Sequence, residues 1–327
     1  MRRVRHTSGT LTLQEVPRPV PGPGELLIRT EAIGVTLPAI RNLRTAGAAS
    51  HTDAEARTEP QPVSGEVAGT IEAVGPAAGT PGSRPEEGLA PGDRVTGLCF
   101  GDAYAEFALL HTSMATPVPA HATAREAVAL LRGGLVAIGA LEAAGPRPGE
   151  TALITAAAGG AGHLAVQLAR LHGGAARVVA AVSDPGAKGA FLRDLGADAV
   201  IGYDDLGRPD ATEPADYVLD AVGGELLTPA VRALADHGRL IAYSSGGGTV
   251  DAHQLLIGAK SVTGFQIGRT ARDQPDRYAA WCRELWRLHA AGTLRAAVAA
   301  ALPLERAAEA HDLIQRRANL GKVLLIP

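Results

Sequence analysis

A glycine cluster between an apolar strand and an amphipathic helix is the part of this chain whose residue types could bind a charged ligand. Residues 151–170 read TALITAAAGGAGHLAVQLAR, in which Gly160, Gly162 and Ala165 fit the pattern G-x-G-x-x-G/A. Glycines leave main-chain N–H groups open to close approach at a positively polarised helix N-terminus, which suits a pyrophosphate. Taken alone, the pattern could also arise by chance, or serve only as a tight turn, in a chain with 40 Gly.

The elements that flank the cluster favour a dinucleotide site. Apolar residues continue the helix through Leu171, and a second apolar strand, RVVAAVS, follows at βαβ spacing. We therefore predict that the cofactor phosphates contact Gly159, Gly160, Ala161 and Gly162. His163 faces this loop by sequence and is expected on the helix surface.

Composition and charge indicate a soluble protein that binds a small molecule. The chain has 327 residues, of which 46% are hydrophobic and 3% aromatic, so it can bury large cores and is expected to form two domains. Its formal net charge is −3, and its Arg residues are dispersed, which argues against nucleic-acid or polybasic membrane binding. The N-terminus has no apolar signal region, and no uninterrupted apolar stretch is long enough to cross a bilayer. We expect a cytoplasmic protein.

Cysteine and histidine placement argues against disulfide scaffolds and zinc hydrolases. Cys99 and Cys282 are far apart and have no C-x-x-C partner, so we expect buried, inert thiols. The ten histidines are dispersed, and none forms an i, i+4 pair with a glutamate between. Ser244 and Ser245 lack the G-x-S-x-G elbow of a serine hydrolase.

The order of predicted elements indicates an α/β chain with two domains. Residues 1–120 carry short apolar runs broken by Pro and Gly, typical of a β-rich, barrel-like domain, with polar loops at Ala46–Pro62 and Pro76–Glu87. Residues 121–267 alternate helices with six apolar strands, as in a doubly wound parallel sheet. Residues 268–327 leave that alternation and are expected to return to the first domain.

Together these segments resemble the medium-chain dehydrogenase/reductase superfamily, within its zinc-free quinone oxidoreductase and enoyl reductase branch. The resemblance covers nearly the whole chain and implies a GroES-like β-rich catalytic domain followed by a Rossmann cofactor domain. Besides the glycine cluster, it rests on VPRPVPGPGELLIRTEAIGV, SGEVAGTIEAVG, APGDRV, DAYAEF, FLRDLGADAVIGY, YVLDAVGG and ANLGKVLLIP.

The resemblance also predicts that the protein works without zinc. Alcohol dehydrogenases of the superfamily place zinc-ligating Cys and His where this chain has residues around Thr36 and Gly65, and the four-cysteine structural lobe is missing. A reaction without a Lewis acid favours a substrate that stabilises its own anion: an enone, enal, quinone or enoyl thioester.

The substrate slot differs from the usual pattern of these relatives. They usually carry Asn where this chain has Thr36, an acidic residue where it has Ala39, and often Tyr where it has Arg41. Thr36 could donate a hydrogen bond to the substrate oxygen, and Arg41 could hold an anionic substrate or the cofactor. Alternatively, Thr36 is a structural hydroxyl and Arg41 a surface cation. Tyr104 matches a family residue that mostly packs.

The resemblance favours NADPH over NADH. NADPH-dependent relatives meet the 2′-phosphate with a Ser, a Lys and a Tyr, which Ser183, Lys188 and Tyr203 match. An NAD enzyme would place a carboxylate at the end of the second strand, and Asp184 lies one position beyond it. Asp184 as the ribose ligand, and Lys188 as a solvated helix charge, are the alternatives.

Further contacts follow from the same resemblance. The nicotinamide half is expected to contact Val222, Gly223, Ser244 and Ser245, and the carboxamide is expected near Phe265 and Ile267 on the sixth strand and near Asn319. A homodimer through edge strands of the cofactor domain is also implied.

Three functions remain open from the sequence. The first is an NADPH-dependent reductase of an activated double bond. The second is a protein that binds NADPH without turnover, and the third is a biosynthetic enzyme that uses the same scaffold for an atypical step. The altered residues at Thr36, Ala39 and Arg41 keep the second alternative open.

Overall fold

The computed structural model describes residues 1–7, 9–49, 60–76, 88–243 and 246–327. The strands are β1 (Arg2–Thr7), β2 (Thr10–Glu15), β3 (Glu25–Val35), β4 (Gln61–Pro62), β5 (Gly65–Val74), β6 (Arg94–Cys99), β7 (Phe107–His111), β8 (Thr116–Pro117), β9 (Thr151–Thr155), β10 (Arg177–Val182), β11 (Ala199–Gly202), β12 (Ala215–Asp220), β13 (Leu234–Ala242), β14 (Ser261–Gly264), β15 (Val298–Pro303) and β16 (Lys322–Ile326). The helices are α1 (Leu37–Ala49), α2 (Ala124–Ala144), α3 (Gly162–Leu171), α4 (Pro185–Asp194), α5 (Leu227–Arg232), α6 (Ala252–Ile257), α7 (Ile267–Asp273), α8 (Pro275–Ala290) and α9 (Ala307–Gln315).

The first compact unit, Met1–Ala129 with Val298–Pro327, is built on β-sheets. A seven-stranded sheet has the order β15-β16-β3-β5-β6-β8, with β7 paired to β3, and a three-stranded sheet has the order β2-β1-β4. The core of this unit includes Val4, Ile33, Val67, Tyr104 and Val323. The β-rich architecture predicted for this part of the chain is confirmed.

Helix α1 was not expected from the sequence, which predicts a loop over Ala46–Pro62. Residues 46–49 belong to α1 and Gln61–Pro62 forms β4, so the loop prediction is wrong at both ends. Thr36 precedes the helix and its hydroxyl oxygen accepts a hydrogen bond from Ala39 N, which is the geometry of an N-cap. Most of the second predicted loop, Pro76–Glu87, lies outside the described residues.

The second compact unit, Leu130–Ala297, contains the predicted doubly wound sheet. Its six strands are all parallel and lie in the order β11-β10-β9-β12-β13-β14. The chain fills one half of the sheet from β9 outward and then crosses back to β12, so the topological switch point lies between β9 and β12. Ligands of such sheets bind beyond the carboxyl ends of the strands at this point.

The boundaries of the second unit differ from the predicted range of residues 121–267. Residues 268–297 were expected with the first domain, but they lie in the second unit, and only Val298–Pro327 returns. The reason is packing between α8 and α2: a Cβ on Gly134 would lie 2.9 Å from Leu285, and one on Gly139 would lie 2.9 Å from Trp281. Helix α8 therefore covers an α2 surface that small residues keep open.

Helix α2 is long and apolar enough to cross a membrane by length and composition, but 78% of its apolar window is buried inside the protein. That burial is typical of the core helix of a soluble protein. The helix begins with a capping box, in which Thr123 Oγ1 accepts from Glu126 N and Glu126 Oε2 accepts from Thr123 N.

Candidate functional site

The turn between β9 and α3 closes so tightly that Gly162 must be a glycine. A Cβ on Gly162 would lie 2.2 Å from the carbonyl oxygen of Ala156 and 2.8 Å from the Cα of Ala157, both of which are main chain. Ala161 is the N-cap of α3, and no side chain caps the helix there. Gly159 N donates to the carbonyl oxygen of Ala156 at 2.9 Å, which closes the turn. Because the first N–H groups of a helix carry partial positive charge, the main chain of residues 160–162 can hold an anion.

His163 is fully buried, so its expected place on the helix surface is wrong. Its Nδ1 lies 2.8 Å from the carbonyl oxygen of Gly159, and its Nε2 accepts a 3.0 Å hydrogen bond from Ala297 N. One turn later, the Gln167 side chain bonds both the N–H and the carbonyl of Arg295. This face of α3 therefore fixes residues 295–297 of the second unit, and a buried partner segment is not readable from local periodicity.

Ser183 and Tyr203 lie at the carboxyl ends of two neighbouring strands, and Lys188 reaches Ser183 from α4. Val182 of β10 pairs with Gly202 of β11, so Ser183 and Tyr203 follow directly after paired residues. Lys188 is 7% exposed, and its Nζ donates a 2.9 Å hydrogen bond to Ser183 Oγ. Lys188 is therefore not the solvated helix charge that the alternative interpretation required.

Asp184 has a different structural role. Its Oδ1 accepts a 3.0 Å hydrogen bond from Ala187 N, and Asp184 is the N-cap of α4, with Pro185 in the first turn. The carboxylate is thus occupied in capping α4, at a helix end where a negative charge is favourable.

Two further buried polar residues flank the switch point, and sequence reasoning missed them. Thr155 ends β9 and Asp220 ends β12, and both are 0% exposed. Thr155 Oγ1 donates a 2.7 Å hydrogen bond to Asp220 Oδ1. The available signal was a polar residue at the carboxyl end of each otherwise apolar strand, TALIT and ADYVLD.

Of the residues predicted around the nicotinamide half, the structure describes Val222 and Gly223. Val222 and Gly223 directly follow β12, whereas Ser244 and Ser245 lie outside the described residues. Strand β14 ends at Gly264, and the Gln266 side chain caps α7, so the sixth strand is shorter than predicted. Ile267 is accordingly on α7.

The two weaker carboxamide candidates have local partners. Phe265 packs edge-on against Trp281 in the second unit. Asn319 lies in the first unit, where its amide donates to the carbonyl oxygen of Gly321 at 2.8 Å. Each contact lies within a single unit.

Thr36 and Arg41 lie at the amino end of α1. The Thr36 Oγ1 accepts a 3.3 Å hydrogen bond from Ala39 N, and this leaves the hydroxyl proton for a second contact. Both Thr36 and Arg41 are half-buried, and Ala39 is buried. The position of Thr36 therefore combines a structural cap with a donor group.

Glu66, the glutamate of the segment SGEVAGTIEAVG, forms a buried ion pair. Glu66 Oε2 and Lys322 Nζ are 2.5 Å apart, and both side chains are almost fully buried. A Cβ on Gly34 would lie 3.0 Å from that carboxylate oxygen, so the pair packs directly on β3. Within the described residues, no group of three or more His, Cys, Asp or Glu side chains could hold a metal ion.

Tyr104 is buried in the same unit and is bonded to His311. The Tyr104 hydroxyl lies 3.1 Å from His311 Nε2, with the rings edge-on. Burial raises the pKa of Tyr104 well above its usual range, and burial together with the nearby His6 lowers the pKa of His311 to about 4. At pH 7 the contact therefore joins a neutral phenol and a neutral imidazole. Cys99 and Cys282 are buried free thiols, as predicted.

The chain matches known oxidoreductases in sequence. The profile of the family described as zinc-binding dehydrogenase matches residues 195–325. A probable quinone oxidoreductase of Schizosaccharomyces pombe is 29% identical over 274 residues, covering 80% of this chain and 78% of that protein. Quinone oxidoreductase-like protein 2 of Bos taurus is 30% identical over 244 residues, covering 72% of this chain and 69% of that protein.

Solved structures agree over the whole chain. Mycobacterial Rv1454c complexed with NADPH superposes with a TM-score of 0.83 at 29% identity and covers 100% of both chains. The CurK enoyl reductase superposes with a TM-score of 0.79 at 25% identity, covering 99% of this chain and 98% of that chain.

Proposed function

The chain belongs to the medium-chain dehydrogenase/reductase superfamily, in its quinone oxidoreductase-like branch, and from that premise we propose a zinc-independent, NADPH-dependent reductase. It is an oxidoreductase of this type by descent. The proposed substrates are small molecules with an activated C=C bond or a quinone ring. When bound, the cofactor supplies the hydride, and the protein supplies orientation and hydrogen-bond donors.

The bonded pair of Lys188 and Ser183 carries the proposal that the cofactor is NADPH. A 2′-phosphate has nearly two negative charges, and a lysine bonded to a serine at a strand end, with Tyr203 following the neighbouring strand, suits that group. Asp184 caps α4 through Oδ1, which supports a structural role for this carboxylate over the ribose contact of an NAD enzyme. The NADPH complex of mycobacterial Rv1454c supports the same choice.

The cofactor phosphates suit the turn before α3. Gly162 cannot carry a side chain, and the helix start has no side-chain cap, so main-chain N–H groups of residues 160–162 can face an anion. Gly159 N, in contrast, is bonded to Ala156, and Gly159 would contribute a close approach without a side chain. We propose contacts from Gly159, Gly160, Ala161 and Gly162. Val222 and Gly223 would contact the nicotinamide end beyond the switch point.

Zinc independence rests on the residues that stand at the usual ligand positions. Gly65 has no side chain, Thr36 is a helix cap, and the Glu66 carboxylate is paired with Lys322. The family profile called zinc-binding dehydrogenase matches residues 195–325, and Thr36, Gly65 and Glu66 lie outside that range. We therefore propose a substrate whose own conjugation spreads the negative charge that hydride addition creates.

Thr36 is the proposed donor to the substrate oxygen. Its oxygen already accepts from Ala39 N, so the remaining proton can be donated where charge develops. Arg41, on the same helix, would favour acidic substrates, and Arg41→Ala should then raise KM for those substrates only. The cap contact also favours a second candidate, an NADPH-binding protein without turnover, in which Thr36 is purely structural.

A homodimer is proposed along the exposed edge strand β14. This strand ends the six-stranded sheet, and the neighbouring helix α6 exposes Leu256 by 77% and Ile257 by 72%. Large exposed apolar side chains beside a free edge suit a symmetric contact. Light scattering should give twice the chain mass, and Leu256→Glu with Ile257→Glu should yield monomer.

The cofactor proposal is tested by fluorescence titration of NADPH and NADH. Lys188→Ala should weaken NADPH binding about ten- to a hundredfold, because a charge-assisted bond to phosphate is lost, and should leave NADH binding nearly unchanged. Tyr203→Phe and Ser183→Ala should give smaller losses. Arg193→Ala is the matched control, since it removes an exposed cation from the same helix. Equal affinity of the wild type for NADH and NADPH would contradict the proposal.

A further inference from the structure

Thr155 and Asp220 form a buried polar pair at the switch point of the parallel sheet. Ile154 of β9 pairs with Leu219 of β12, so the two polar residues follow paired positions on adjacent strands. Both side chains are fully buried, and Thr155 Oγ1 donates to Asp220 Oδ1 at 2.7 Å. A buried carboxylate is costly unless several donors satisfy it, so Asp220 is expected to accept further hydrogen bonds.

Among the residues that the structure describes, the other side-chain hydrogen bonds of the pair go to the main chain that follows β12. Asp220 Oδ1 accepts from Val222 N at 3.1 Å, and Asp220 Oδ2 accepts from Gly223 N at 3.0 Å. Thr155 Oγ1 accepts from Ala221 N at 2.9 Å. Two side chains thus bind three consecutive N–H groups, and they determine the path of residues 221–223.

That path also depends on a glycine at position 223. Gly223 has φ 66° and ψ −152°, a conformation that is essentially restricted to glycine. A Cβ there would also lie 2.7 Å from the carbonyl oxygen of Gly247. Gly224 N donates to the same carbonyl at 2.9 Å, so the 221–224 loop also fixes the loop that follows β13.

We infer that Asp220, oriented by Thr155, is a positioning residue that holds the 221–223 loop in the shape that accepts the nicotinamide end of the cofactor. This inference rests on the proposed NADPH function. The N–H groups of Val222 and Gly223 are occupied by Asp220, so the loop offers no free amide donors from these residues to an anion. It suits an uncharged or cationic ring, whereas the turn before α3 suits phosphate.

The inference predicts that the two ends of the cofactor respond differently to substitution. In Asp220→Asn, one carboxylate oxygen becomes an NH₂ group facing an N–H donor. NADPH binding should weaken about tenfold, because hydrogen bonds to a charged group are lost, while 2′,5′-ADP, which lacks nicotinamide, should change less than about twofold. With a fixed enone, kcat should fall as well, because a loss confined to cofactor binding would raise KM and leave kcat unchanged.

Asp216→Asn is the matched control. Asp216 lies on the same strand and accepts from Thr151 N of β9 at 2.7 Å, but at the opposite end from the loop. It should reduce the unfolding midpoint without changing the ratio of NADPH to 2′,5′-ADP affinities. Thr155→Val should shift that ratio in the same direction as Asp220→Asn, and Thr155→Ser, which keeps the hydroxyl, should restore it, even if Asp220→Asn does not fold.

Calorimetric titration of both ligands against these variants gives distinct outcomes. Equal weakening of NADPH and 2′,5′-ADP in Asp220→Asn, or an unchanged ratio in Thr155→Val, would overturn the positioning role alone. A wild type that binds neither NADPH nor 2′,5′-ADP would overturn the proposed function, and this inference with it.

Discussion

Acidification should destabilise this protein through His311, a histidine whose burial beside Tyr104 disfavours its protonated form. Burial and the nearby His6 lower its pKa from 6.5 to about 4 in the folded protein. Below pH 6.5 the unfolded chain therefore binds a proton that the folded chain does not. Stability is lost as the pH falls from about 6.5 to about 4, and the loss is complete below the folded pKa.

The size of the effect follows from the same two values. A difference of about 2.5 pH units at 1.36 kcal/mol per unit corresponds to roughly 3 kcal/mol over the full range. At pH 5.5 the loss should be about 1 kcal/mol, since only the upper part of the range has been crossed. This is a substantial share of the stability of an ordinary domain.

Denaturant unfolding of the wild type and His311→Gln at pH 7.5, 5.5 and 4.5 measures this contribution. The glutamine can still accept from the Tyr104 hydroxyl, and carboxylates and His6 titrate in both proteins, so the difference in pH dependence isolates His311. The wild type should lose about 2 to 3 kcal/mol more than the variant between pH 7.5 and 4.5. His121→Gln, at an exposed histidine, should match the wild type. Parallel curves for wild type and His311→Gln would show that His311 does not contribute to the acid sensitivity.

Three further predictions concern the proposed chemistry. Thr36→Val should lower kcat on the order of tenfold or more with NADPH affinity nearly unchanged, and Thr36→Ser should keep activity; an unaffected kcat would make Thr36 only a helix cap. Elemental analysis should find no stoichiometric zinc and activity should survive chelation, whereas about one zinc per chain, lost together with activity, would contradict the ligand argument. Asp184→Ala should cost about 1 kcal/mol of unfolding free energy through the lost N-cap and leave the NADPH:NADH affinity ratio unchanged; a collapsed ratio would identify Asp184 as the ribose ligand.

The parallel sheet was the most predictable part of this molecule. Its strands are short apolar runs separated by helical segments, and this local pattern is sufficient to identify them. Their ends are less readable, because Gln266 stops β14 and starts α7 with a side-chain hydrogen bond that has no hydrophobic signature. Helix α1 was missed for a similar reason: its start depends on a single cap at Thr36.

The residues that the sequence misplaced are those whose roles depend on distant partners. His163 is buried because residues 295–297 return to it, and residues 268–297 join the second unit because α8 covers Gly134 and Gly139. Neither contact can be inferred from nearby positions. The Thr155–Asp220 pair was visible as two polar strand ends, but only the order of the strands in the sheet makes them neighbours.

Isotope transfer is the sharpest test of hydride transfer from NADPH to an activated double bond. The protein would be incubated with NADPH deuterated at the transferable C4 position and a panel of enones, enals, quinones and a crotonyl thioester, with products analysed by mass spectrometry. We expect a reduced product from at least one member, and in a C=C substrate one cofactor-derived deuterium at the β-carbon. Tight NADPH binding with no deuterium in any product would contradict the claim and favour the protein that binds NADPH without turnover.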